Sequence, residues 1–251
     1  MDTETLKLRS VRVERYVTPL REGGSMPAIV EADDLGTYVL KFRGAGQGVR
    51  ALIAEIIAGG IARALGLPLP EIVLVHLNGD LARTESDPEI QDLIRASDGL
   101  NVGLDYLPGS MNFDPAVDVV DSDFASRLVW FDTLVSNVDR TARNTNMLVC
   151  KKQPWLIDHG ASLTFHHAWK GSVADPAKPF VPSSEHVLLP QASHLAAVDA
   201  ELAAKLAPEV IACIVDEVPD CFLEQAAADK DGDALQDVQA HRAAYVNYLV
   251  A

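Results

Sequence analysis

The apolar residues of this chain change their period along its length, and that change limits the fold more than any other feature. Residues 10–17 (S-V-R-V-E-R-Y-V) alternate apolar and polar, the pattern of a half-buried strand. Residues 28–32 and 37–42 are two further short strands, joined through Asp33-Asp34-Leu35-Gly36, a hairpin-type turn. Residues 49–65 then switch to helical spacing, and Gly66 followed by Pro68 reads as the stop of that helix. Two more strands are expected at 71–77 and 101–107, separated by a polar, acidic stretch, and Pro108-Gly109-Ser110 reads as a linker. From Asp121 the texture is helical: Ser122-Asp123 caps an apolar run that leads into a polar loop. Residues 147–150 and 154–157 return briefly to strand. Pro176, Pro179 and Pro182 keep residues 160–190 irregular, and the tail from His194 is helical with breaks near Pro208 and Pro219. The expectation is an α+β fold. A β-rich N-terminal part, residues 1–109, precedes a mostly helical C-terminal part, residues 110–251.

Bulk properties narrow the class of partner. The net charge of −15 opposes non-specific attraction to nucleic acid or to an anionic membrane, because phosphates are repelled at long range. Three scattered cysteines, Cys150, Cys213 and Cys221, form neither a disulfide framework nor a four-thiolate zinc site. The N-terminus lacks the charged start and apolar run of a secretory signal, and no stretch approaches the roughly 18 apolar residues of a membrane span. These features place the chain in the cytoplasm.

One constellation carries chemistry. Residues 137–144 (N-V-D-R-T-A-R-N) put Asp139 and Asn144 in a single polar loop after a helix. The carboxylate of Asp139 could orient and deprotonate an acceptor hydroxyl, and the Asn144 carbonyl oxygen could ligate magnesium. Further on, residues 155–160 (W-L-I-D-H-G) place Asp158 after an apolar strand and before a glycine, a second oxygen ligand for Mg2+. The same residue types also serve as helix caps and turn formers, so each motif alone is ambiguous. Gly23, Gly24 and Ser25 sit in a loop between the first two strands, where backbone could approach phosphates or simply turn. Arg140 and Arg143 either assist phosphate or acceptor binding or pair with neighbouring acids. His166-His167 has no further ligand at zinc spacing and reads as a pair of surface histidines.

Together these segments resemble the catalytic and metal-binding loops of the protein-kinase-like superfamily. They look closest to the HipA-like kinases and, more distantly, to phosphatidylinositol kinases. The resemblance covers roughly residues 10–165 and implies a two-lobed fold with ATP and Mg2+ as cofactors. On it, Asp139 matches the catalytic aspartate, Asn144 the amide metal ligand, and Asp158 the aspartate of the Asp-Phe-Gly motif, with His159 in place of Phe. Lys41 matches the strand lysine that contacts the phosphates, and Glu55 its helix partner. Glu55 is the only acid on an otherwise apolar helix face, where a carboxylate needs a cation. Asp105, Tyr106 and Leu107 fall where the lobe-joining strand presents its backbone to adenine. The activity implied is γ-phosphoryl transfer to a hydroxyl, with a protein Ser/Thr favoured as acceptor. The alternatives are a nucleotide-binding pseudokinase or scaffold, and a nucleotidyltransferase. The chain is too short for the extra N-terminal domain of full-length HipA-like members, so the resemblance implies neither a toxin role nor an antitoxin partner.

Overall fold

The computed structural model describes residues 6–20, 26–46, 48–167, 169, 180, 184–228 and 237–251. The chain divides into two compact units. One comprises Leu8–Leu52 and Pro70–Pro108, the other Met1–Lys7, Ile53–Leu69 and Gly109–Ala251.

The first unit is a five-stranded closed barrel. Its strands are β1 (Ser10–Pro19), β2 (Ala28–Ala32), β3 (Thr37–Lys41), β4 (Ile72–Leu77) and β5 (Gly99–Asp105), in the order β1-β2-β3-β5-β4. Neighbours are antiparallel except at the seam, where β1 runs parallel to β4 with Ser10 opposite Leu74. Two register shifts in β1, between Val13 and Arg15 and between Tyr16 and Thr18, bend the strand enough to meet both partners. The alternation read from the sequence puts Val11, Ala28, Val30, Ala32, Leu40, Val73 and Val75 inside. In β5, Gly103 is required by packing, because a Cβ there would lie 2.6 Å from Val75 Cγ2. Between β4 and β5 the polar stretch is ordered, a 3-10 turn (Gly79–Thr84) followed by α2 (Pro88–Ala96). Asp87 caps α2 by accepting from the Glu89 N–H, Pro88 opens it, and Ile90 and Ile94 close the barrel core.

The second unit is helical with one small sheet. Helix α1 (Gly48–Leu65) contributes from Ile53 onward. Its Ile53, Ile57, Ala58 and Ile61 are fully buried, and the close approach at Gly60, beside Ile214, leaves no room for a Cβ. Burying each isoleucine contributes on the order of 1.5–3 kcal/mol, which outweighs the roughly 1 kcal/mol cost of a mid-helix glycine. Strands β6 (Met111–Asn112), β7 (Met147–Cys150) and β8 (Gln153–Leu156) form an antiparallel sheet, so the residues after the expected linker are strand. Helix α3 (Ser122–Leu134) is capped one residue earlier than the sequence suggests, by Asp121 accepting from the Phe124 N–H at 2.7 Å. Helices α4 (Leu195–Lys205), α5 (Pro208–Asp216), α6 (Asp220–Ala228) and α7 (Val238–Val250) complete the unit. Arg127 of α3 forks onto Glu201 of α4, and Pro208 starts α5, where a missing N–H costs nothing. No helix among the described residues is long and apolar enough to cross a membrane.

Candidate active site

The loop after α3 holds the first group of candidate residues. Helix α3 stops at Val135, where Ser136 turns left-handed (φ 52°) and redirects the chain. The Asn137 side chain then accepts from the Asp139 N–H at 3.0 Å. Two amides converge on one oxygen of the Asp139 carboxylate, Asn144 Nδ2 at 2.8 Å and Asn146 Nδ2 at 3.1 Å. The loop is closed by the Thr141 N–H donating to the Asn144 carbonyl at 2.9 Å. Because the Asn144 Nδ2 faces Asp139, its Oδ1 faces away and makes no hydrogen bond to the described residues. Asp139 is thus held through one oxygen, and Asn144 presents an acceptor oxygen beside it.

Beneath this loop lies a buried ionic hub that single-motif reading missed. Asp132, in the last turns of α3, accepts from Asn137 Nδ2 (2.8 Å), Arg140 Nε (2.6 Å) and His186 Nε2 (2.9 Å). The side chains of Asp132 and Arg140 are 1% and 0% exposed. Burial pushes the Asp132 carboxyl up, but Arg140 and the His186 bond together outweigh it and hold it below the usual carboxylate range. Arg140 also donates to the carbonyls of Asn146 (2.5 Å) and Thr145 (3.2 Å), spanning the loop from start to end. His186 Nδ1 accepts from the Leu188 N–H at 3.1 Å, so Nε2 carries the proton and donates to Asp132. Backbone bonding joins the same segment to the loop, through the Thr141–His186 bridge and the Val187 N–H on the Arg140 carbonyl. Of the two roles open to Arg140, pairing with a neighbouring acid is the one observed. Arg143 is exposed.

The β7–β8 hairpin brings in the second group. Its ladder pairs Met147 with Leu156 and continues one step further, with the Ile157 N–H on the Asn146 carbonyl at 3.0 Å. Asp158 therefore leaves the hairpin beside Thr145, next to Asn144 in sequence. Asp158 is left-handed (φ 59°), a conformation uncommon for non-glycine residues and concentrated at functional sites. His159 follows, fully buried, with its backbone N–H and its Nδ1 on the two oxygens of Glu55 at 3.0 and 3.3 Å. Glu55 is itself fully buried within α1. Asn144 Oδ1 and the Asp158 carboxylate are the hard oxygen donors that Mg2+ takes, and the acceptor left open on Asn144 fits such an ion. Among the described residues, no cluster of three or more His, Cys, Asp or Glu could hold a metal.

The other candidates belong to the barrel unit. Lys41 ends β3 and is nearly buried, 9% exposed. Asp105 ends β5 with an exposed side chain, and burial, with Glu71 second, pushes its carboxyl up. The Asp105 and Tyr106 N–H groups are used internally, on the carbonyls of Glu71 (2.8 Å) and Thr37 (2.9 Å). The Leu107 N–H donates to none of the described residues. Gly23, Gly24 and Ser25 lie outside the described residues. The expectation of a surface histidine pair holds for His167 alone. His166 is 1% exposed, with Nδ1 3.0 Å from the Tyr245 hydroxyl of α7, a contact no local pattern announces.

A family model described as HipA-like kinase matches residues 13–241. Among solved structures, a Helicobacter pylori proinflammatory kinase, CtkA, is 12% identical with a TM-score of 0.50, over 96% of this chain and 98% of its own. The Golgi casein kinase with Mn/ADP bound is 12% identical with a TM-score of 0.49, over 99% of this chain and 73% of its own. A second structure of that kinase gives a TM-score of 0.46 at the same identity and coverage. No curated protein matches the sequence. The likeness to the first structure gives the chain a protein-kinase-like fold, with a β-rich N-terminal region and a mostly helical C-terminal one.

Proposed function

The chain belongs to the HipA-like kinase family, a family of kinase-type phosphotransferases, and from that premise we propose that it transfers the γ-phosphoryl group of ATP to a hydroxyl acceptor in a Mg2+-dependent reaction. A protein serine or threonine is the favoured acceptor, and the cytoplasm the favoured location. The observation that carries this reading is the paired arrangement of Asp139, held on one oxygen by Asn144 and Asn146, with Asp158 at the end of the adjoining hairpin.

Each residue then has a distinct task. Asp139 keeps one carboxylate oxygen for the acceptor O–H, orienting it and taking its proton as transfer proceeds. Asn144 Oδ1 and Asp158 would hold Mg2+, which when bound neutralises charge on the transferring phosphates. Lys41 would contact the α- and β-phosphates, steadied by Glu55, and Gly23, Gly24 and Ser25 would cover them. The backbone of residues 105–107 would take the adenine edge, and the unused Leu107 N–H is the donor suited to it. In this division of labour residues 1–109 serve mainly the nucleotide, and residues 110–251 supply the catalytic and metal-binding loops.

The test is a thermal-shift titration with ATP, with and without magnesium, on the wild type and Asp158→Ala. The midpoint should rise with Mg-ATP by the equivalent of about 2.7 kcal/mol at a hundredfold excess over Kd. Asp158→Ala should abolish the magnesium-dependent part. No response of the wild type at millimolar Mg-ATP would sink the reading.

A further inference from the structure

His159 stands directly after Asp158, and every polar group around its Cα is engaged. Its N–H donates to Glu55 Oε2 at 3.0 Å, its carbonyl accepts from the Ser162 N–H at 2.9 Å, and its Nδ1 lies 3.3 Å from Glu55 Oε1. The carboxylate places the ring proton on Nδ1. The other ring nitrogen, Nε2, is buried with no hydrogen-bond partner among the described residues. The ring meets Phe131 edge-on, with centroids 5.7 Å apart and planes at 78°.

A phenylalanine would fill this space, keep the contact with Phe131 and bury no orphaned nitrogen. Packing therefore favours phenylalanine, and the one favourable interaction that belongs to the imidazole alone is the Nδ1–H on Glu55. That interaction acts on a residue that needs holding. Asp158 sits in a left-handed conformation, between the Ile157 N–H on the Asn146 carbonyl and the His159 N–H on Glu55.

We propose that His159 is a positioning residue for Asp158. Its backbone N–H and Nδ1–H grip both oxygens of Glu55, so α1 fixes the turn that aims the Asp158 carboxylate at the metal. Glu55 thereby acts on the metal loop as well as on any lysine it pairs with. The proposal rests on reading Asp158 as a magnesium ligand.

The ATP dissociation constant of the full chain, measured by calorimetry in magnesium and again in EDTA, tests this on wild type, His159→Phe and His159→Asn. The Asn amide places an N–H near the position of Nδ1. In His159→Phe the gain in affinity that magnesium confers should fall roughly 10–100-fold, the usual cost of losing an outer-shell partner, with ATP affinity in EDTA little changed. His159→Asn should recover most of the gain. Should His159→Phe fold too poorly to purify, His159→Leu, which likewise lacks the Nδ1–H that meets Glu55, should show the same selective loss. A magnesium gain unchanged in His159→Phe overturns the proposal. So does an equal loss with and without metal, or a loss in His159→Asn as deep as in His159→Phe. A wild type that shows no magnesium gain sinks the metal-site reading itself, and this proposal with it.

Discussion

Two ionic networks in this protein use the same groups to different ends. In the barrel, Arg9 forks onto Glu71 at 2.8 and 2.9 Å, and bonds Asp34 and the Tyr38 hydroxyl. Under the catalytic loop, Arg140 and His186 converge on Asp132. Arg9 is 46% exposed and Arg140 is 0% exposed. The exposed network trades water for protein contacts at little net gain, since solvent screens it and long side chains lose freedom. The buried one has no water to fall back on, so removing Asp132 leaves Arg140 charged and without its anion. Electrostatics decorates the barrel surface. In the loop it sets the backbone, because the acceptors of Arg140 include the carbonyls of Thr145 and Asn146.

The comparison breaks most visibly at Asp132. Asp132→Ala leaves the Arg140 guanidinium buried without its anion and should cost roughly 3–5 kcal/mol, read as a lowered urea midpoint. A cost below about 1 kcal/mol would mean that the hub is no more than another surface pair.

His186 sharpens the contrast at intermediate size. His186→Leu removes a donor to Asp132 and an acceptor for the Leu188 N–H, at roughly 1–3 kcal/mol. His186→Gln keeps a donor near Nε2 and should recover part of that loss in the same urea titration. Equal losses in the two variants would assign the effect to shape alone.

Arg9→Ala should be the smallest, below about 1 kcal/mol and smaller still in high salt. The pH dependence follows the same contact. The Tyr38 hydroxyl, then Arg9, lower the Asp34 carboxyl to about 2. Asp34 therefore adds stability that is full above the ordinary carboxylate value near 4 and is lost as the pH falls through about 2. Acid unfolding curves of wild type and Arg9→Ala should converge at the acid end and separate above it.

Much of this was legible in the sequence, and the failures have physical causes. Strands 28–32 and 147–150 were readable to the residue, because each is a short, largely apolar run closed by a local turn. Helix α2 was not, although Asp87-Pro88 is an N-cap followed by a first-turn proline, and Ile90, Leu93 and Ile94 keep helical spacing. Charged and polar residues at 85–87, 89, 91, 92 and 95 dilute that pattern. That Asp139 and Asn144 lie close together was visible because both residues share one loop, while the hydrogen bond between them was not. Asp132 was missed although the reasoning applied to Glu55 fits it equally, a lone acid in the apolar run L-V-W-F-D-T-L-V. Its partner His186 is 54 residues away, beyond the reach of any local pattern. The grip of His159 on Glu55 spans 104 residues and is likewise invisible until the chain is folded.

The interleaving of the two units has a consequence for synthesis on the ribosome. The barrel can close once β5 has emerged, since every strand it needs lies before Asp105. Helix α1 is made earlier than β5, yet its apolar surface at Gly60 has no cover until Ile214 has been translated. At about 5–20 residues per second that interval lasts on the order of ten seconds. Throughout it the nascent chain carries a finished barrel and a helix whose face at Gly60 is still uncovered, the kind of intermediate that chaperones capture.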